Sequence, residues 1–494
     1  MEISYQSTRG GESGVTASQA ILKGLAEDGG LFMPSYIPQL DKTMRELSEM
    51  TYQETAYQVM KLFLTDYTEE ELRSCISCAY DSKFDTEEIA PLAKADGSYY
   101  LELYHGSTIA FKDMALSILP HLMTAAAKKN HVKNKIVILT ATSGDTGKAA
   151  MAGFAGVEGT EIIVFYPKNG VSPVQELQMV TQKGENTHVA AIHGNFDDAQ
   201  TGVKQIFGDR EFARELDEKG FQLSSANSIN IGRLVPQIVY YVYAYGRLLA
   251  NEEITDGERI NVTVPTGNFG NILAAYLAKQ VGIPIGKLIC ASNDNKVLYD
   301  FFRTGIYDRN RSFILTSSPS MDILISSNLE RLIYLSAGGD GKVSGALMKE
   351  LSETGRYTVT DEMKKFMKDF YGGFATEEEN KAQICQIFRD TGYLIDTHTG
   401  VAAAVYRKYK AETKDETKNV IASTASPYKF SRSVMEAIGP EQKEGDEFEI
   451  IDRLSKISGT DIPSAVEEIR TASVRHNTEC DIDKMKETAV SFLR

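Results

Sequence analysis

The sequence predicts an α/β fold, and three observations predict it. From Ile136 onward, β-rich runs alternate with helix-patterned ones: IVILTAT, KAAMAGFAG, EIIVFYP, VQELQMVTQKG, HVAAIHG, DDAQTGVKQIFGD. After residue 250 the alternation starts again with RINVTVPTG, NILAAYLAKQVG and KLICAS. Strand and helix in strict turn imply βαβ units and parallel sheets covered by helices. Third, 494 residues exceed one ordinary core, so two blocks with a cleft between them are the economical architecture.

Taken in chain order, the turn-rich GLAEDGGLFMPSYIP precedes TMRELSEMTYQETAYQVMKLFL, whose apolar positions recur at helical spacing. A small helical N-terminal domain is expected over 1–95. Residues 96–250 form the first α/β block, closed by the tyrosine-rich helix LVPQIVYYVYAYGRLLANE. Residues 251–494 form the second. Within it LMKELSETGRYTVTDEMKKFMKDFYGG predicts a helical insertion at about 340–390, and NVIASTASPYKF predicts a strand that returns to the sheet with its hydroxyls toward the cleft.

Composition narrows the function classes. The formal charge of -15, from 53 basic and 68 acidic residues, disfavours nonspecific attraction to nucleic acid or an anionic membrane, so any phosphate site must be local. No run of eighteen apolar residues and no signal-like N-terminus occurs, and a cytoplasmic protein is expected. Five cysteines suit reduced thiols; Cys75 and Cys78 form a CxxC without a second metal-ligand pair, and the seven histidines lack metal-ligand spacing. No metal is expected.

Two loops carry the chemistry. PTGNFGN, Pro265 to Asn271, ends a β-rich run and opens a helix; glycines there let backbone N–H groups turn inward beside the helix N-terminus, making an anion cradle. TSGDTG, Thr142 to Gly147, has the same placement but matches neither a P-loop nor a dinucleotide fingerprint, leaving N–H groups, hydroxyls and Asp145 as an acceptor. Between them in function stands Lys112 of YHGSTIAFKDMAL, at the start of a helix. A lysine near two anion loops is what an aldehyde-bearing phosphate cofactor requires, because a desolvated amine forms a Schiff base with a carbonyl.

HGSTIAFKDMAL, TATSGDTG, SANSINIGRL, PTGNFGN, SPSMDILISSNLERL and STASPYKF occur in the order found in threonine synthases of the shorter bacterial and fungal form, and the opening YQSTRG and GLAEDGGLFMP resemble that family's N-terminal domain. The resemblance runs from residue 5 to about 430. It implies a fold-type II pyridoxal-phosphate enzyme, similar to the tryptophan synthase β subunit, that converts O-phospho-L-homoserine and water to L-threonine and phosphate as a monomer or homodimer. Lys112 would hold the pyridoxal 5'-phosphate covalently, Gly267, Asn268, Phe269, Gly270 and Asn271 would cradle its phosphate, Thr424 would face the pyridine nitrogen and Asp145 the 3-hydroxyl. Ser143 and Thr146 would hold the substrate's anionic ends, and Ser228 and Arg233 would meet its phosphate. Two departures, Ser426 before Pro427 where the family usually has His, and Thr397 after Asp396 where it commonly has Pro, keep open a phospho-lyase that releases 2-oxobutyrate, ammonia and phosphate.

Overall fold

The computed structural model describes residues 2–493 apart from Ser143, Ser172 and Lys443. Two large sheets organise it. A six-stranded sheet runs in the order Phe370–Phe374, Ile285–Ser292, Ile260–Pro265, Asn419–Ser423, Ser98–Glu102, Leu92–Ala95, all parallel except the last strand. A five-stranded sheet, wholly parallel, runs in the order Thr478–Cys480, Thr187–Ile192, Thr160–Pro167, Lys135–Ala141, Phe221–Ser224. Central strands such as Ile260–Pro265 bury every residue, which is why INVTVP shows no polar–apolar alternation.

The helix Ile231–Ala250 is buried along nearly its whole length, and Asn230 caps it by accepting the Gly232 N–H. Its apolar run, read from the sequence as a single helix, lies against the N-terminal helices, with the Tyr243 ring edge-on to Tyr52 at 5.3 Å. Four N-terminal helices begin with capping boxes at Thr16, Thr43, Thr51 and Thr68, each closed by Gln or Glu three residues on. The CxxC lies in the helix Glu69–Ala79, with Cys75 buried and Cys78 exposed.

Four elements differ from the sequence-based expectation. The N-terminal domain is not only helical: Tyr5–Ser7, Ser13–Val15 and Phe32–Pro34 form a three-stranded antiparallel sheet. Strand Ser98–Glu102, assigned by sequence to the first block, belongs to the six-stranded sheet of the second, because it pairs with Asn419–Ser423 across 320 residues of chain that no local pattern reveals. The expected helical insertion contains strand Phe370–Phe374, which joins that sheet beside Ile285–Ser292. Finally, the last residues leave the second block: Thr478–Cys480 pairs with Thr187–Ile192 at the edge of the five-stranded sheet, and Met485 and Leu493 enter that sheet's core. A three-residue edge strand with polar side chains carries too short a pattern to be read from sequence.

Candidate active site

The segment that carries Lys112 is pinned to the STASPYKF loop. Phe111 N–H donates to the Thr424 carbonyl at 2.8 Å, Ser426 N–H donates to the Ile109 carbonyl at 3.0 Å, and Ala110 bridges Ala425. Asp113, buried, accepts from the Thr108 N–H at 2.7 Å and the Thr108 hydroxyl at 2.6 Å, which closes the Gly-Ser-Thr turn onto the helix Asp113–Leu116. Lys112 thus stands just before that helix, 9% exposed, and is not a solvated surface charge.

Its Nζ lies 3.3 Å from Asp145 Oδ2 and 3.3 Å from Ser320 Oγ. Asp145 also accepts from Ser320 Oγ at 3.1 Å and Gln175 Nε2 at 3.0 Å, and its Oδ1 lies 3.2 Å from Lys429 Nζ. Burial pushes the Lys112 amine down from its ordinary range; Asp145 opposes this, while Lys429 and Arg233 reinforce it. Burial pushes Asp145 up, yet the charges of Lys429 and Lys112 outweigh it and, with the hydrogen bond from Gln175, hold the carboxyl far below the usual range. The cluster therefore pairs one carboxylate with more cations than it can neutralise, a surplus that suits anionic ligands.

The PTGNFGN loop follows strand Ile260–Pro265 and opens the helix Gly270–Gln280. The N–H groups of residues 267–271 donate to no described residue. Phe269 has φ +67°, and its ring packs on Phe302 and Phe370, so only its backbone faces the loop. The Asn271 side chain accepts from the Tyr241 hydroxyl, which leaves its buried Nδ2 without a partner; Arg331 likewise occupies Asn328 Oδ1 and leaves Asn328 Nδ2 buried and unpaired. Free N–H groups at a helix N-terminus, with two orphaned amide donors close by, fit the phosphate of pyridoxal phosphate.

Arg233 is 3% exposed and has no carboxylate partner among the described residues; one nitrogen donates to the Ala226 carbonyl at 3.0 Å and Nε is unpaired. Burial pushes its guanidinium down to about 10. Ser228 is half-buried in the turn before Arg233's helix, and Thr146 is half-buried in the first turn of the helix Asp145–Phe154. In the TSGDTG loop Thr142 Oγ1 accepts from the Gly144 and Gly147 N–H groups, each at 3.0 Å. Ser143 lies outside the described residues. Thr424 is buried, and its hydroxyl makes no hydrogen bond with a described residue.

Sequence reasoning did not single out Lys429, Ser320 or Gln175. Lys429 and Ser320 lie inside stretches chosen as motifs, STASPYKF and SPSMDILISSNLERL; a lysine among small hydroxyl residues at a strand's end was the available signal. His398 clamps the backbone: Nδ1 meets Asp396 Oδ2 at 2.8 Å and Nε2 accepts the Ser320 N–H at 3.2 Å. Among the described residues no group of His, Cys, Asp and Glu is placed to hold a metal.

The chain matches known proteins along most of its length. A family model described as threonine synthase N terminus matches residues 4–80, one for pyridoxal-phosphate dependent enzymes matches 86–425, and one described as threonine synthase, C-terminal, matches 399–476. The chain is 40% identical to human threonine synthase-like 1 over 434 residues, 85% of this chain, and spans 58% of that protein's length. It is 37% identical to threonine synthase of Eremothecium gossypii over 467 residues, covering 88% of this chain and 89% of that one. The fold is similar to that of the pyridoxal-phosphate-bound threonine synthase from Brucella melitensis, with a TM-score of 0.89, 34% identity and 100% of both chains covered. Against threonine synthase from yeast the TM-score is 0.88, at 31% identity over 99% of this chain and 98% of that one. With family models matching residues 4–80, 86–425 and 399–476, and a threonine synthase 37% identical over 88% of this chain and 89% of that one, the chain belongs to the threonine synthase family of pyridoxal-phosphate-dependent enzymes.

Proposed function

We propose that this protein converts O-phospho-L-homoserine and water to L-threonine and inorganic phosphate, with pyridoxal phosphate carried on Lys112. One observation carries the reading: a buried amine shares Ser320 with one place prepared for an anion and feels the charge of a second. One is the 267–271 loop, whose N–H groups and Asn271 Nδ2 have no partner among the described residues; the other is Arg233, buried, with Nε unpaired and no carboxylate among those residues. The first suits the cofactor's phosphate and the second the substrate's.

Bound pyridoxal phosphate supplies an electron sink for the charge that develops when an amino acid loses its Cα proton. Lys112, its amine biased toward the neutral form by burial, accepts that proton at Nζ as general base. Asp145 remains ionised and serves as acceptor for the cofactor's hydroxyl while orienting the lysine. Thr424 offers an uncharged hydroxyl to the ring nitrogen, which does not favour a protonated ring as a carboxylate would. Arg233 and Ser228 hold the substrate phosphate that leaves from Cγ, the guanidinium matching two of its oxygens at once. Thr146, in the first turn of the helix Asp145–Phe154, takes the substrate's other anionic end, together with Ser143, which lies outside the described residues.

The test is to incubate the protein with pyridoxal phosphate and O-phospho-L-homoserine, follow free phosphate, and identify the carbon product by NMR. Threonine in step with phosphate supports the reading. Phosphate accompanied by 2-oxobutyrate and ammonia replaces it with the phospho-lyase. Full turnover by Lys112→Ala removes the lysine from its role.

A further inference from the structure

Ser320 joins the lysine, the carboxylate and the glycine loop of the site. Its hydroxyl meets Lys112 Nζ at 3.3 Å and donates to Asp145 Oδ2 at 3.1 Å. Its carbonyl lies where a Cβ on Gly267 would come within 2.4 Å, so the Ser320 backbone forms one wall of the glycine loop. The same stretch reaches that loop twice more: Ser326 Oγ donates to the Gly267 carbonyl at 2.7 Å, and Asn328 N–H donates to the Asn268 carbonyl at 3.0 Å.

The position of Ser320 is set from behind. Its N–H donates to His398 Nε2 at 3.2 Å, so that nitrogen carries no proton and the imidazole proton sits on Nδ1, facing Asp396 Oδ2 at 2.8 Å. Asp396 is fully buried and caps the helix Thr397–Thr413 by accepting the His398 and Thr399 N–H groups at 2.9 and 3.0 Å. Beside it, Thr397 Oγ1 donates to the Ser317 carbonyl at 2.7 Å. On the other flank Asp322 gathers Asn293 Nδ2 at 2.7 Å, Thr316 Oγ1 at 2.8 Å and the Thr316 N–H at 2.9 Å. Both sides of the Ser320 turn are therefore fixed before any ligand arrives.

We propose that Ser320 is a further catalytic residue, its hydroxyl orienting the Lys112 amine, and that His398 and Asp396 are positioning residues that act through the Ser320 N–H. The hydroxyl's proton is committed to Asp145, so its lone pairs face the lysine. They accept a Lys112 N–H and turn the amine's own lone pair toward the cleft, where it meets the cofactor aldehyde and later the Cα proton. Without that acceptor, Asp145 alone holds the amine, and a carboxylate favours its protonated, unreactive form. The inference rests on the proposed covalent role of Lys112.

The test reads cofactor capture, which does not depend on the carbon product. The protein freed of cofactor is mixed with pyridoxal phosphate, and the rate of covalent attachment is followed by its visible absorbance. Ser320→Ala is expected to slow attachment about tenfold, a loss of the size of one buried hydrogen bond, and to lower kcat with KM little changed. His398→Leu is expected to match it, His398→Gln, whose amide oxygen can accept the Ser320 N–H, to recover most of the rate, and the Ser320→Ala, His398→Leu double variant to be no slower than either alone. Melting of each cofactor-free variant shows that it folds. Wild-type attachment in a folded Ser320→Ala, or additive losses in the double variant, overturns the proposal. Attachment by Lys112→Ala at the wild-type rate overturns the lysine assignment beneath it instead.

Discussion

Lys429 Nζ lies 3.2 Å from Asp145 Oδ1, and its side chain is only 1% exposed, so a second lysine shares the carboxylate that Lys112 approaches at 3.3 Å. Lys429 also donates to the Thr108 carbonyl at 2.9 Å, which joins the STASPYKF loop to the turn preceding Lys112. Lys429→Met removes one partner of a buried ion pair and leaves Asp145 Oδ1 with only the Gln175 amide. A destabilisation of about 3 kcal/mol is expected, measured by urea denaturation. Cofactor attachment at neutral pH is expected to slow as well, because Lys429 is one of the charges that lower the Lys112 amine.

Lys148 offers a pH test. Burial pushes its amine down to about 8, with Asp113 opposing the shift. A lysine whose folded-state value lies below its unfolded one penalises the fold at every pH where both states are charged. The penalty is full below about 8 and fades as pH rises toward 10.5. Lys148→Met is therefore expected to gain roughly 3 kcal/mol at pH 7, less whatever its bond to Gln182 contributes. The gain should shrink between pH 8 and pH 10.5; urea melts of both proteins across that range check it.

Gly267 and Gly270 are expected to behave oppositely. A Cβ on Gly267 would sit 2.4 Å from the Ser320 carbonyl, whereas a Cβ on Gly270 has nothing nearer than 3.5 Å. Gly267→Ala should cost about 1–3 kcal/mol and weaken pyridoxal phosphate binding by forcing the loop off Ser320. Gly270→Ala should leave the melting temperature close to wild type. Paired melts and cofactor titrations distinguish the two.

Arg233 keeps a buried charge without a carboxylate among the described residues, an arrangement that disfavours the fold and that a bound anion would relieve. Arg233→Met is expected to leave the stability of the ligand-free protein unchanged or raised, while increasing KM for O-phospho-L-homoserine about 100-fold, the size of two charge-assisted hydrogen bonds. Arg233→Lys, which keeps the charge and loses the fork, should recover only part of that loss. Steady-state kinetics with a melting curve for each variant check both statements.

The amino-acid sequence alone determined the alternating elements, because a central strand such as Ile260–Pro265 and the helix that follows it carry their own hydrophobic period and turn residues. It also determined the candidate lysine and the two anion loops, since glycine at the end of a strand before a helix has a local physical reason. Pairing across distance was decided only by the tertiary structure. Ser98–Glu102 meets Asn419–Ser423 in the six-stranded sheet, and Thr478–Cys480 returns to the five-stranded one, because sheet membership depends on which strand is left to pair with and not on the strand's own residues. The polar cluster was decided the same way: Ser320 and His398 lie 78 residues apart, and Lys429 and Thr108 lie 321 apart. Desolvation and proximity give a serine, a histidine or a second lysine its chemistry, and both come from packing that one position in a sequence cannot display.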